Sequence, residues 1–268
     1  MENEYDHIRK EFAKLLVEIW KCKDEECEGN LKNLRKGSIS LEKGSPKHPE
    51  KGEYFKPWGG YLGSDYGKGQ KILIIGGAPS AFDIKYIEED MKMFEIFKKF
   101  VEEWEKNSDQ SMKKFDDAME FCERYIPKWG EILLSETQKK RIEKRLEKES
   151  ASNLLNLLNL KKVAYINLFK CRCVIKKEGG KENFNVYENP ELARKCYEKF
   201  TKRQIEMLKP DKIIFQWKKA YCTLKKLDPD FLKNYEGRCA YYNGNHAIKW
   251  EERMRNVFGL FGIKVKDV

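Results

Sequence analysis

No run of apolar residues in this 268-residue chain comes near the ~20 needed to cross a bilayer as a helix. No helical membrane span is therefore expected. The opening residues, MENEYDHIRK, are charged and helical in pattern and lack the apolar core of a secretory signal. That predicts a cytoplasmic, reducing location, where the eight cysteines are not expected to form structural disulfides. Histidine is scarce, with only His7, His48 and His246, so imidazole chemistry has few places to reside. Size excludes little: a chain of this length can bury one large α/β core or two small ones.

What is abundant is charge. Lys and Arg number 54 against 44 Asp and Glu, a net charge of +10, which favours a polyanionic partner such as nucleic acid. A Lys/Glu-rich surface of the thermophilic kind accounts for the composition equally well.

The apolar pattern alternates between two periods. Phe12, Leu15, Leu16, Ile19 and Trp20 recur at helical spacing and predict a first helix ending near Lys21. The Gly-, Pro- and Lys-rich stretch from Gly29 to Gly69 reads as a long loop, with Tyr54, Phe55, Trp58 and Tyr61 as anchors packing it down. KILII (71–75) is the first clear strand, VAYIN (163–167) the second, KIIFQ (212–216) the third, and Cys239–Tyr242 the fourth. Residues 84–160 carry helical spacing and read as an insertion of two to four helices; further helices are expected over 190–210, from Lys218, and over Ala247–Phe261. Apolar strands separated by helices imply an α/β fold: a three-layer α/β/α sandwich around a mostly parallel four-stranded sheet, in one domain spanning 1–268.

In such a sheet the ligand sits beyond the carboxyl ends of the strands. The first strand ends in Gly76-Gly77-Ala78-Pro79, the second in Asn167, and the fourth is followed by Asn243-Gly244-Asn245-His246. A bare turn of main chain, an amide and an imidazole are thus offered at one edge.

The ordered set G-G-A-P (76–79), N-L-F-K-C-R (167–172), P-E-L-A-R-K-C (190–196) and a late His246 resembles the uracil-DNA glycosylase superfamily. The nearest branches are the iron–sulfur-containing ones, which read G-E-A-P-G or G-L-A-P, then T-N-x-x-K-C-R-P, P-x-P-E…C and H-P-S. The likeness covers the first helix and most of 71–83 and 163–262, and leaves 84–160 unmatched. It implies a DNA repair hydrolase that flips uracil, or a related deaminated base, out of the stack and cleaves its N-glycosidic bond. Gly76, Gly77 and Ala78 would form the pocket wall with their backbone, and Asn167 would read the base by donating to a carbonyl and accepting from an imide N–H; the family's Gly-x-Pro-Phe, which supplies the stacking aromatic, is not found after Asp83, and Phe82 or Tyr86 is the substitute at hand. His246 would stabilise the charge on the departing base. Departures from the family pattern weaken the catalytic expectation, His-Pro-Ser being reduced to His246-Ala247-Ile248. No carboxylate stands at Ala78 or Gly77, where branches of the superfamily carry one; Asp83 is the substitute at hand, although it also suits a helix N-cap. Asn167 would equally suit a strand-end turn, and a lone histidine a surface turn.

The same resemblance implies a four-iron four-sulfur cluster on Cys22, Cys27, Cys171 and Cys196, with zinc on the same thiolates, or plain buried thiols, as the alternatives. Cys122, Cys222 and Cys239 read as packing residues. Lys170, Arg172, Lys176, Lys177, Lys249 and Arg253 flank the strand ends and are expected to hold DNA phosphates, if they are not simply a solvated basic face. The expectation is a monomeric DNA-binding enzyme; a non-catalytic nucleic-acid-binding relative, or a metalloprotein acting on free nucleobases or RNA, are the other readings.

Overall fold

The computed structural model describes residues 4–22, 58–77, 87–108, 110–128, 132–170, 190–243 and 247–263. Helix α1 (Glu4–Trp20) buries Phe12, Ala13, Leu16 and Ile19 along one stripe, as its spacing predicts. The strands are β1 (Tyr61–Leu62), β2 (Ile72–Gly76), β3 (Val163–Asn167), β4 (Lys212–Phe215) and β5 (Cys239–Tyr241). Every residue of β2 and β3 is buried, which requires cover on both faces of the sheet and explains their unbroken apolar runs.

The sheet runs β1-β3-β2-β4-β5. β2 pairs in parallel with β3 and with β4, β4 pairs in parallel with β5, and only β1 is antiparallel, against β3. The sheet is thus five-stranded rather than four-stranded. The extra strand arises inside the Gly-rich loop, where Gly60 (φ +128°) lies close to the Tyr165 carbonyl and lets the chain turn onto the sheet edge. Trp58 and Tyr61 are buried and act as the anchors expected of them; Tyr54 and Phe55 lie outside the described residues.

Between β2 and β3 come four helices, α2 (Ile87–Lys106), α3 (Met112–Tyr125), α4 (Glu136–Arg145) and α5 (Lys148–Leu157). They share the core of the sheet: Phe100 and Phe115 pack on each other, and Phe115 meets Phe12 of α1 edge to face. Ser135 caps α4 through its hydroxyl oxygen, which accepts from the Gln138 N–H. After β3, helix α6 runs as Pro190–Cys196, a π-turn Tyr197–Thr201 and Lys202–Leu208, ending at Lys209 in the left-handed conformation (φ 43°) just before Pro210. Then come α7 (Lys218–Leu227), α8 (Pro229–Asn234) and, after β5, α9 (Trp250–Leu260). Among the described residues no helix is long and apolar enough to cross a membrane.

Candidate functional site

The carboxyl ends of the four parallel strands share one edge. There Gly76 stands in register beside Asn167, and on its other side Gln216 follows the Ile75–Phe215 pair with its N–H still on the Ile75 carbonyl (2.8 Å). Asn167, Gly76 and Gln216 thus form the last row of the sheet, with the two side chains on the same face as the row two residues back, Tyr165–Ile74–Ile214. That face is the one covered by the insertion: Tyr61, in register with Tyr165, lies against α3, and the neighbouring Leu62 N–H points at Met119 Sδ (3.3 Å).

At Gly76 the close neighbours of the main chain belong to the protein itself. A Cβ there would fall closer than 3.0 Å to both Asn167 Oδ1 and the Tyr165 hydroxyl. The first glycine of the turn therefore makes room for Asn167, which is buried at 3 % exposure, instead of offering its own backbone as a pocket floor. Gly77 continues the ladder, its carbonyl accepting from Phe169 N–H at 2.9 Å as that of Gly76 accepts from Leu168 N–H at 2.9 Å. Ala78, Phe82 and Asp83 lie outside the described residues, as does Tyr86.

The turn after Asn167 is fixed from behind. Thr201 in the π-turn donates its hydroxyl to the Leu168 carbonyl (2.8 Å), and Trp58 N–H donates to the Lys170 carbonyl (2.8 Å). Lys170 is not positioned to hold a phosphate. It is 1 % exposed, its ammonium donates to the Asn167 carbonyl, and burial pulls its pKa down to about 7. The lysine braces the strand end that carries the amide.

Arg253 is corrected in the same way. It is buried at 4 % exposure, donating through Nε to the Asn243 carbonyl (3.1 Å) and through Nη2 to the Tyr242 hydroxyl. Gln138 Nε2 donates to that hydroxyl too (3.0 Å), while its Oε1 accepts from Trp250 Nε1 (2.7 Å). This network ties both flanks of the turn before α9 to α4 of the insertion. His246, on that turn, and Arg172 lie outside the described residues. Lys249 is exposed and free of the core, as expected. Sequence reading passed over Lys218 and Lys219, exposed on the first turn of α7 at this same edge, where a helix N-terminus also favours anions.

Cys22 Sγ, just past α1, lies 3.8 Å from Lys199 Nζ, and Lys199 sits one turn beyond Cys196 on α6. Cys196 in turn interacts electrostatically with Lys170, the residue before Cys171. Cys27 and Cys171 lie outside the described residues. Among the described residues no group of three ligating side chains is assembled. Cys122 is buried, with its thiol pKa raised by burial, and Cys239 is half-buried, its thiol pushed up to about 12. Cys222 is exposed, so it does not pack as expected.

A cleft of about 560 Å³ lined by Lys202, Asp228, Phe231, Tyr235 and Arg238 lies at the opposite, amino-terminal edge of the sheet. Lys202 and Asp228 pair within it at 3.7 Å, and it contains none of the strand-end groups. Compared with known protein families, curated sequences and solved structures, the chain matches none.

Proposed function

We propose that this protein is a DNA glycosylase of the uracil-excising type. One observation carries the reading: a buried carboxamide, Asn167, held over a side-chain-free Gly76 at the carboxyl edge of the central parallel strands. An amide fixed there is suited to read a flipped base, because it offers a donor and an acceptor side by side. The braces on it, Lys170 and Thr201, give it the rigidity that discrimination needs, since a loosely held reader pairs with the wrong base as easily as the right one. The network through Arg253, Tyr242 and Gln138 fixes Asn243 and the start of α9, the described residues on either side of 244–246. In this reading His246 donates a hydrogen bond to the departing base as water attacks C1′ and the C1′–N bond breaks. Exposed Lys218, Lys219 and Lys249 supply phosphate contacts.

Cys22, Cys27, Cys171 and Cys196 would hold the four-iron four-sulfur cluster, in a purely structural role that ties the end of α1 to α6. Zinc on the same thiolates is the competing assignment.

Incubation with uracil-containing single- and double-stranded oligonucleotides, followed by alkali, tests the activity. Strand cleavage at the uracil is expected, and its loss in His246→Ala. The absence of a carboxylate at Gly77 and Ala78 favours, as a second reading, a relative that binds nucleic acid without cutting it. That protein would retain uracil-containing oligonucleotides and leave no alkali-labile site.

A further inference from the structure

The strand-end row contains a second carboxamide that the reading above does not use. Gln216 is fully buried, and its Oε1 accepts from the Leu133 N–H at 2.9 Å. Its Nε2 has no hydrogen-bond partner among the described residues. A buried donor without a partner is costly and uncommon in a folded protein. The bond from Leu133 also fixes the polarity of the group. With the oxygen turned to the main chain, the group Gln216 has left to offer is the Nε2 donor.

Its place in the fold is where a ligand is expected. The chain passes from β2 to β3 on one side and then crosses to β4 on the other, so the strand order reverses at β2/β4, and crevices open beyond the carboxyl ends at such reversals. Asn167 and Gln216 stand on the two strands that flank Gly76, about 10 Å apart at the backbone from two strand spacings. The residue between them has no side chain, and the space over it is taken by the amide oxygen of Asn167 and the Tyr165 hydroxyl. Among the described residues, the Nε2 of Gln216 is thus the donor left without a partner in this row.

We propose that Gln216 is a specificity-determining residue of this site, donating from Nε2 to a ring carbonyl of a base bound beyond the carboxyl ends of the strands. The proposal rests on the glycosylase reading for its polymer, while its recognition chemistry can be tested on bases alone. A fixed donor accepts a carbonyl and meets an exocyclic amine donor against donor. Deamination makes that exchange: it converts cytosine to uracil and adenine to hypoxanthine. Gln216 therefore selects keto bases as a class. Leu133 lies in the segment between α3 and α4, so the helical insertion sets the preference by holding the amide in one orientation.

The test uses the full-length protein and Gln216→Glu and Gln216→Met, each checked for a cooperative thermal transition. The glutamate keeps an acceptor for Leu133 and removes the donor; the methionine keeps the volume and removes both. Binding of free uracil, hypoxanthine, cytosine and adenine is measured by calorimetry, and abasic-site formation in deoxyuridine oligonucleotides is scored separately. Wild type should favour uracil over cytosine, and hypoxanthine over adenine, by about 10-fold or more, and the folded variants should lose most of that ratio. Equal binding of keto and amino bases by wild type, or an unchanged ratio in a folded variant, overturns the proposal. Keto selectivity that the variants abolish, without any abasic sites, supports Gln216 and sinks the glycosylase reading. Abasic sites with selectivity untouched by either variant do the reverse.

Discussion

The side-chain oxygen of Asn167 sits over Gly76, in the space that a side chain at that glycine would claim. The two residues are neighbours in register on parallel strands, so neither can move without shifting the end of the ladder. Gly76→Ala should therefore act through Asn167. Overpacking of this kind costs about 1–3 kcal/mol, and if Asn167 reads a base, as proposed, the displaced amide should lose its grip on it. Urea denaturation of the variant should show the destabilisation, and uracil release from oligonucleotides should fall by about 100-fold or more. Normal turnover in a folded Gly76→Ala protein would remove Asn167 from base reading.

Lys249 and Arg253 lie four residues apart and separate cleanly. Lys249 is exposed, whereas Arg253 is buried against Tyr242 and Asn243. Lys249→Ala should weaken oligonucleotide binding and lower the salt slope by about one, the mark of a lost phosphate contact. Arg253→Met should leave that slope alone and instead destabilise the fold by about 1–3 kcal/mol, through the hydroxyl and carbonyl left without their donor. Binding titrations across a salt series, run beside chemical denaturation, check both halves.

The difference between those two residues marks how far the sequence could be read. Apolar runs such as ILII and VAYI announce strands because a doubly covered parallel strand must be apolar at every position. Their carboxyl ends, and hence Gly76 and Asn167, followed from that. Side-chain direction at the edges did not. Lys170 and Arg253 look like surface cations, since such residues are nearly always exposed, and only the fold-back of the turn after β3 and of α9 reveals them as braces. Gln216 closes an apolar run with a polar residue, a signal that was present but shared with any strand-to-helix turn. The two-residue β1 had no signal of its own: its pairing is dictated by β3, roughly a hundred residues away in the chain.

Alkaline pH should unfold the protein through its tyrosines. Tyr61 and Tyr66 donate their hydroxyls to the Leu160 and Leu208 carbonyls at 3.0 and 3.1 Å, and burial raises both pKa values far above 10. Tyr5, also held up by burial, titrates at about 12. The native state keeps these protons at pH values where the unfolded chain, with tyrosines near 10, releases them. Their stabilising contribution is therefore complete below about pH 9 and is lost as pH rises past 10, at up to about 1.4 kcal/mol per pH unit for each group. Denaturation midpoints from pH 8 to 11 should stay level and then drop. Tyr61→Phe should make the drop shallower, by about one proton's worth of slope.

Cys22 and Cys196 provide the last test: Cys22 follows α1 and lies beside Lys199, and Cys196 lies on α6 within electrostatic reach of Lys170. If thiolates there bind a cluster together with Cys27 and Cys171, protein purified without air should be brown and contain iron and acid-labile sulfide at about four each per chain. Cys22→Ser and Cys196→Ser should each lose the colour and most of the iron. Because the bound group cross-links α1 to α6, they should also lower the thermal midpoint well beyond the effect of Cys222→Ser, which changes an exposed thiol. Zinc in place of iron, released by the same two substitutions, would keep the ligand set and change the metal. A colourless, metal-free protein whose stability is indifferent to Cys22 and Cys196 would reduce them to half-buried thiols. It would also remove the proposed likeness to the iron–sulfur branch, leaving the Asn167–Gly76 arrangement to be judged on base binding alone.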